Sequence, residues 1–314
     1  MNQGKTKGYI LGIIAAATYG MNPVFALPLM NDGMDAVSVL FFRYLLAIPA
    51  VWFLMRMRGR SAKIGRSRAL PCFALGICMV LSSVTLFRSY LYMDVGIAST
   101  LLFVYPLLVA IIMTSLYHEV MTLRAFVGLA GTVVGVWLLC DVGSRGHISL
   151  PGIILVLVSS LSYAIYIVGI NRSPIKSVAT LPLTFWVLVS GAFILSVIVL
   201  GRGYLAVPDN PWLWINVLML AIVPTVVSFL CTNAAIEKIG STPTAALGAF
   251  EPVTAVIFGI VLFGERLSMR SLIGLVVIIA CVTLVITSIN ITRRVLAIRK
   301  LFPKAHRMRR HHRQ

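Results

Sequence analysis

Stretches of about twenty mostly apolar, nearly uncharged residues recur from one end of this chain to the other, and nothing else in it restricts the fold as strongly. A helix crossing a hydrocarbon core about 30 Å thick needs roughly 20 such residues. In lipid, only helices and closed barrels satisfy every backbone polar group. Ten runs fit, over residues 8–30, 36–55, 69–91, 97–116, 123–141, 150–170, 180–200, 212–235, 242–263 and 270–290. The 314 residues are 59% hydrophobic and 11% charged, with a mean hydropathy of +0.97. That leaves too little polar side chain to cover a soluble body of this size. The reading is an all-α integral membrane protein. Its first run follows Lys5 and Lys7 as a secretory leader would, but extends to about Met30 without a small-x-small cleavage pattern. It is read as a retained first helix.

Charge then orients the bundle. With the N-terminus inside, nearly all of the 27 Lys and Arg residues fall on the same side, chiefly in the loop 56–68 and the tail after Asn290. Only Arg145, Arg202, Arg266 and Arg270 fall on the other side, and Arg43 and Arg88 lie within spans. By the positive-inside rule both termini are cytoplasmic, in a cell (inner or plasma) membrane, which requires an even number of spans. The net charge of +18 is therefore a topology signal and not a sign of a nucleic-acid partner. The basic tail, read as disordered, is suited to anionic lipid headgroups. The five cysteines, Cys72, Cys78, Cys140, Cys231 and Cys281, show no CxxC spacing and are read as packing residues, so no metal or cofactor is expected.

An internal repeat fixes the architecture further. Residues 106–128 align with 252–274 without a gap: Pro106 falls on Pro252, Glu119 on Glu265, Thr122 on Ser268, Arg124 on Arg270 and Gly128 on Gly274. Earlier in the halves Tyr19 falls on Tyr163 and Gly96 on Gly240, at an offset two residues shorter. A unit of five spans is odd-numbered, so its second copy sits upside down relative to the first. Such inverted repeats belong to secondary transporters, whose sites lie near the midplane between the halves. The expected units are 1–145 and 146–291, followed by the tail 292–314.

The chain resembles the drug/metabolite transporter superfamily, in particular its EamA-type members. The matching residues are Tyr19-Gly20 with Asn22, Phe42-Arg43-Tyr44, Gly96 to Pro106, Glu119 and Gly128 to Gly135. In the second half they are Glu251-Pro252, Phe263-Gly264-Glu265-Arg266-Leu267-Ser268 and Gly274. The first copy departs from the second where Tyr117-His118-Glu119-Val120 stands in place of Gly-Glu-Arg-Leu. The resemblance implies ten helices in a 5+5 inverted arrangement and transport of small organic metabolites, often as efflux.

Charges inside spans need a reason, since each costs about 2.5–3.5 kcal/mol at mid-bilayer on insertion scales. Glu251, midway along 242–263 and directly before Pro252, reads as a proton-coupling group or a contact for a substrate amine. The alternative is a carboxyl bonded to neighbouring helices. Arg88, on a stripe with Ser82 or Thr85 and Tyr92, suits a substrate carboxylate, or else reaches the outer interface or pairs with Asp94. Arg43 reads, through the resemblance, as a structural or gating ion pair. Tyr19, Asn22, Tyr105, Ser159, Tyr163 and Glu251 lie near mid-span and are expected to line one cavity, with Tyr166 on the same helical stripe as Ser159 and Tyr163, where rings and hydroxyls would bind an amphipathic solute. Taken singly, each could equally glue helices together. Pro106 and Pro252 are read as local helix-loosening points. Glu119 and Glu265, at helix ends on opposite faces, are read as caps or as bridges through Arg124 or Arg270.

The functional reading is a secondary transporter, an exporter of a small amphipathic metabolite such as an amino acid, with protons as a possible coupling ion. A non-transporting sensor or scaffold is the alternative, with a membrane-embedded transferase further behind. The nine acidic residues are scattered, and neither DxxxD, HExxH nor a phosphate-binding P-loop occurs, so an enzyme is not expected.

Overall fold

The computed structural model describes residues 3–93, 98, 101–119, 121–139, 149–172, 174–263, 269–270 and 272–285, and these are helical with short connections. The first span is α1 (Gln3–Gly20) followed by α2 (Asn22–Asn31), the second α3 (Ala36–Met57), and the third α4 (Arg66–Ser89). On the fourth and fifth spans lie α5 (Tyr105–Ser115) and α6 (Leu123–Leu139). In the second half α7 (Leu150–Arg172) and α8 (Thr180–Arg202) are unbroken. The eighth span joins α9 (Leu213–Ala221), a π-helical turn (Ile222–Val227) and α10 (Ser228–Ile239). The ninth joins α11 (Ser241–Leu247) and α12 (Phe250–Phe263), and α13 (Leu272–Val285) lies on the tenth. Gly96, Cys140, Glu265 and the basic tail fall outside the described residues.

The apolar side chains face both ways. Between 33% and 56% of the residues in the spanning windows are buried inside the bundle, and leucines such as Leu123, Leu150 and Leu200 stand outward. Water would not tolerate such a surface, but acyl chains do. Small residues and hydroxyls hold the helices together. Gly128, Gly131 and Gly135 of α6 back onto Val285, Cys281 and Ile278 of α13, so those two helices run antiparallel.

Where the spans break, proline supplies the cause, because its nitrogen cannot donate to the carbonyl four residues earlier. Pro106 leaves the carbonyl of Leu102 free, and Ser160 of α7 donates its hydroxyl to it at 3.0 Å. Pro252 leaves the carbonyl of Gly248 free, and the Glu251 amide takes it in a tight turn at 2.8 Å. Pro224 frees the carbonyl of Leu220, and the Thr225 hydroxyl donates to it at 2.8 Å within the π turn. These three freed carbonyls are thus satisfied, two of them by a hydroxyl side chain.

The two halves repeat each other's contacts with exchanged roles. Gly8 packs against Ile239 and Lys238, and Gly152 packs against Met93 and Tyr92. Likewise the Ser159 hydroxyl donates to the carbonyl of Ser82, while the Ser228 hydroxyl donates to that of Ala15. These are one contact seen twice, α1 with α10 and α7 with α4, both antiparallel. The parallel pairs, α1 with α12 and α7 with α5, are images in the same way. A two-fold axis in the membrane plane generates such exchanges.

We call the face holding Gln3 the N-face and the opposite one the distal face. At the distal face Asp35 caps α3, accepting from the Val37 amide at 3.1 Å and from the Ser38 hydroxyl at 2.5 Å. It also pairs with Arg202 at the end of α8, Nη1 to Oδ2 at 2.5 Å. Burial alone would raise its carboxyl pKa, but Ser38, Arg202 and the Val37 amide together hold it below the usual value. At the N-face the Trp186 indole donates to the carbonyl of Ala62 at 2.7 Å, tying down the basic loop 56–68.

Candidate functional site

Tyr105 and Glu251 occupy matching positions of the two repeats, 146 residues apart, and the Tyr105 hydroxyl donates to Glu251 Oε1 at 3.4 Å. Two residues related by the internal axis can touch only where that axis passes, so this bond marks the centre of the molecule. The other repeat-related pair, Tyr19 and Tyr163, is stacked nearby, with centroids 6.4 Å apart and planes 9° from parallel. Tyr105 meets Tyr163 edge-on at 4.8 Å, and Tyr166 stacks on Tyr163 at 6.1 Å. Three tyrosines, Tyr19, Tyr105 and Tyr163, therefore gather near one carboxyl, with Tyr166 stacked behind them.

Two glycines permit this closeness. The carbonyl of Glu251 lies where a side chain on Gly20 would stand, and the Tyr105 hydroxyl fills the same space at Gly248. Neither position has room for a Cβ.

A hollow lies on each side of the Tyr105–Glu251 bond. On the distal side a cavity of about 50 Å³ is lined by residues including Tyr19, Asn22, Pro23, Leu86 and Leu102. On the N-face side a void of about 10 Å³ is lined by residues including Tyr163, Ile167, Thr232, Thr244 and Gly248. Part of each wall is an image of the other: Tyr163 replaces Tyr19, Ile167 replaces Pro23, Thr232 replaces Leu86 and Gly248 replaces Leu102. Tyr105 and Glu251 belong to both. The larger hollow has room for a few waters and the smaller for about one, given roughly 10–15 Å³ of such space per water. Neither holds an organic solute in this conformation.

Behind the distal cavity lies Arg43, 0% exposed. Its Nε donates to Thr225 Oγ1 at 2.5 Å, Nη2 to the Pro224 carbonyl at 3.2 Å, and Nη1 to Asn22 Oδ1 at 3.3 Å. Its guanidinium also lies 5.7 Å from the centre of the Tyr19 ring. The π turn aims these oxygens at it. No carboxylate pairs with Arg43 among the described residues, so the expected ion pair is replaced by neutral oxygens.

The remaining expected site residues divide. Tyr19, Asn22, Tyr105, Tyr163 and Glu251 converge, with Pro106 buried behind Tyr105 and Pro252 lining the distal cavity. Ser159 is spent on the contact with Ser82, and Tyr166 donates to Asn233 Oδ1 at 3.0 Å, so both brace helices and neither lines these two hollows. Arg88 is exposed on α4, turned away from Ser82 and Thr85, and is absent from both walls. Glu119 reaches Arg172 of α7 at 3.8 Å, not Arg124, which is exposed. Arg270 lies over the Trp137 ring at 4.5 Å. The sequence reading missed Thr225, Thr232 and Gly248; only the mid-span Pro224-Thr225 pair carried a signal, a freed carbonyl beside a hydroxyl that could take it.

Ten helices in two inverted halves around a midplane hollow define a membrane transport protein of the secondary-carrier fold. Residues 6–140 and 150–287 each match the EamA-like transporter family. The chain belongs to that family. Among relatives, it is 27% identical over 63% of its length to an uncharacterized transporter, sll1319, of Synechocystis, of which the match spans 61%. It is 26% identical over 69% of its length to the threonine/homoserine exporter RhtA of Escherichia coli K12, spanning 71% of that protein. A solved crystal structure has the same fold, with a TM-score of 0.77 at 16% identity over 92% of this chain and 99% of that one.

Proposed function

We propose that this protein is a secondary transporter that exports a small amphipathic metabolite, an amino acid or related organic solute, by alternating access. The observation that carries the reading is the pair of image-related hollows with a shared floor at Tyr105 and Glu251. Exchanging the conformations of the two repeats would close the distal cavity and open its counterpart, and symmetry makes the two states close in energy. The resemblance to a threonine/homoserine exporter supports efflux of an amino-acid-like solute.

In this reading both termini face the cytoplasm of a cell in whose inner or plasma membrane the protein sits. Its halves are 1–145 and 146–291, and the tail 292–314 rests on anionic headgroups. Glu251 is the coupling or amine-binding group, since it is the acid shared by both hollows. Liposomes carrying the purified protein and loaded with pooled metabolites at two pH values test the proposal. Substrate-dependent flux is expected, with Glu251→Gln abolishing it or removing its pH dependence. Unchanged flux and pH dependence in that variant would take Glu251 out of the mechanism.

A further inference from the structure

Resting on the transport reading, we infer that the central site recognises a zwitterion, with Arg43 taking the carboxylate of the solute and Glu251 its ammonium group. The inference starts from the state of Arg43. A guanidinium carries five N–H donors and a fixed positive charge, and here it is completely buried within the span of α3. Among the described residues it meets three neutral oxygens and no carboxylate. A buried charge in that condition is held in place but not neutralised, and desolvation makes it a strong attractor for an anion.

The three oxygens differ in how they are held. Thr225 and Pro224 belong to the π turn, and Thr225 is anchored a second time by donating to Leu220. Asn22 makes the longest of the three bonds and itself lines the distal hollow. Its Oδ1 thus occupies the place where a carboxylate oxygen arriving from the cavity would sit. Tyr19 lines the same cavity and lies against Arg43, so Glu251 lines the hollow directly while the cation backs the part of its wall that Asn22 and Tyr19 make. A solute with a carboxylate and an ammonium on adjacent carbons answers both charges at once. An amine or a carboxylic acid alone would leave one charge unanswered, and a site built around a polar partner rejects analogues lacking it.

The wild-type protein in liposomes is tested by counterflow with three matched panels: the twenty proteinogenic amino acids with homoserine, their decarboxylated amines, and their deaminated acids. Exchange of one or more amino acids at least about tenfold more efficiently than the matched amine and acid is expected. Amines or acids exchanged as well as their parent amino acids would overturn the inference while leaving the transport reading intact. If no panel is exchanged but another solute is, the zwitterion assignment likewise falls alone. No exchange of any solute would remove both.

Two variants separate recognition from scaffolding. Asn22→Asp gives Arg43 a permanent carboxylate of the same shape, so it is expected to raise the KM for the amino acid at least about tenfold and to shrink its preference over the matched amine. An Arg43 that served packing alone would be content with that pairing, and an unchanged KM would contradict the inference. Arg43→Gln is expected to erase the preference of zwitterion over amine. Because that variant could fail to fold, Asn22→Asp decides.

Discussion

Single atoms set the geometry at the centre of the molecule, most plainly at Gly248. Its missing Cβ leaves the space that the Tyr105 hydroxyl occupies on its way to Glu251. Gly248→Ala is therefore expected to lower stability in detergent by about 1–3 kcal/mol, the range for overpacking a filled interior. Tyr105→Phe removes the oxygen that collides most, so the double variant is expected to recover part of that loss, a coupling that a thermal-unfolding double-mutant cycle measures. Additive losses would place Tyr105 elsewhere. This residue-level detail was only partly legible. Of the residues grouped by mid-span counting, Tyr19, Asn22, Tyr105, Tyr163 and Glu251 lie together, while Ser159 braces α7 against α4. For Arg88 the stripe shared with Ser82, Thr85 and Tyr92 left a substrate contact and the outer interface both open, because it does not say which part of it faces a neighbouring helix. The hydroxyl side of α4 packs against α7, which leaves Arg88 outside.

Helices in this bundle are interrupted by proline and repaired by hydroxyls, and the repair can be tested at Leu102. Its carbonyl has lost its helical donor to Pro106 and depends on Ser160 of α7. Ser160→Ala should cost about 1–3 kcal/mol, the penalty for an unsatisfied buried acceptor. In a Pro106→Ala background the new amide takes the carbonyl, and the same serine change is expected to cost much less. An equal cost in both backgrounds would show that the hydroxyl serves another purpose. The junction of α3 with α8 makes a milder contribution, because Asp35 and Arg202 are both about a quarter exposed. Arg202→Gln is expected to cost at most about 1 kcal/mol. The sign with pH follows from the lowered carboxyl of Asp35. The pairing stabilises above the unfolded value near 3.9 and fades as pH falls through the folded value, so wild type and variant should converge in acid. The sequence placed the spans well, since length and hydropathy decide them. Of the π turn at Ile222–Val227 only the freed carbonyl beside Thr225 was legible; its role in holding Arg43 was not, because that partner is 182 residues away from Thr225.

At the scale of the molecule, two oppositely inserted halves exchange equivalent contacts across one axis, and the hollows on either side of Tyr105–Glu251 share that floor and four pairs of matching residues. The repeat was readable because Pro106, Glu119 and Gly128 recur without a gap. The hollows were not, because their walls combine spans from both halves and the repeat offset shifts by two residues between α1/α7 and α4/α10. Leu86 of the distal cavity and its image Thr232 of the N-face void test the exchange most directly. Each is replaced by cysteine in a chain whose five native cysteines have been removed, and labelling by a membrane-impermeant thiol reagent is followed from both faces as the transported solute is added. Opposed changes are expected, one site gaining exposure to its own face as the other loses it. Both sites gaining or losing together, or neither responding while flux continues, would contradict the alternating pair of chambers.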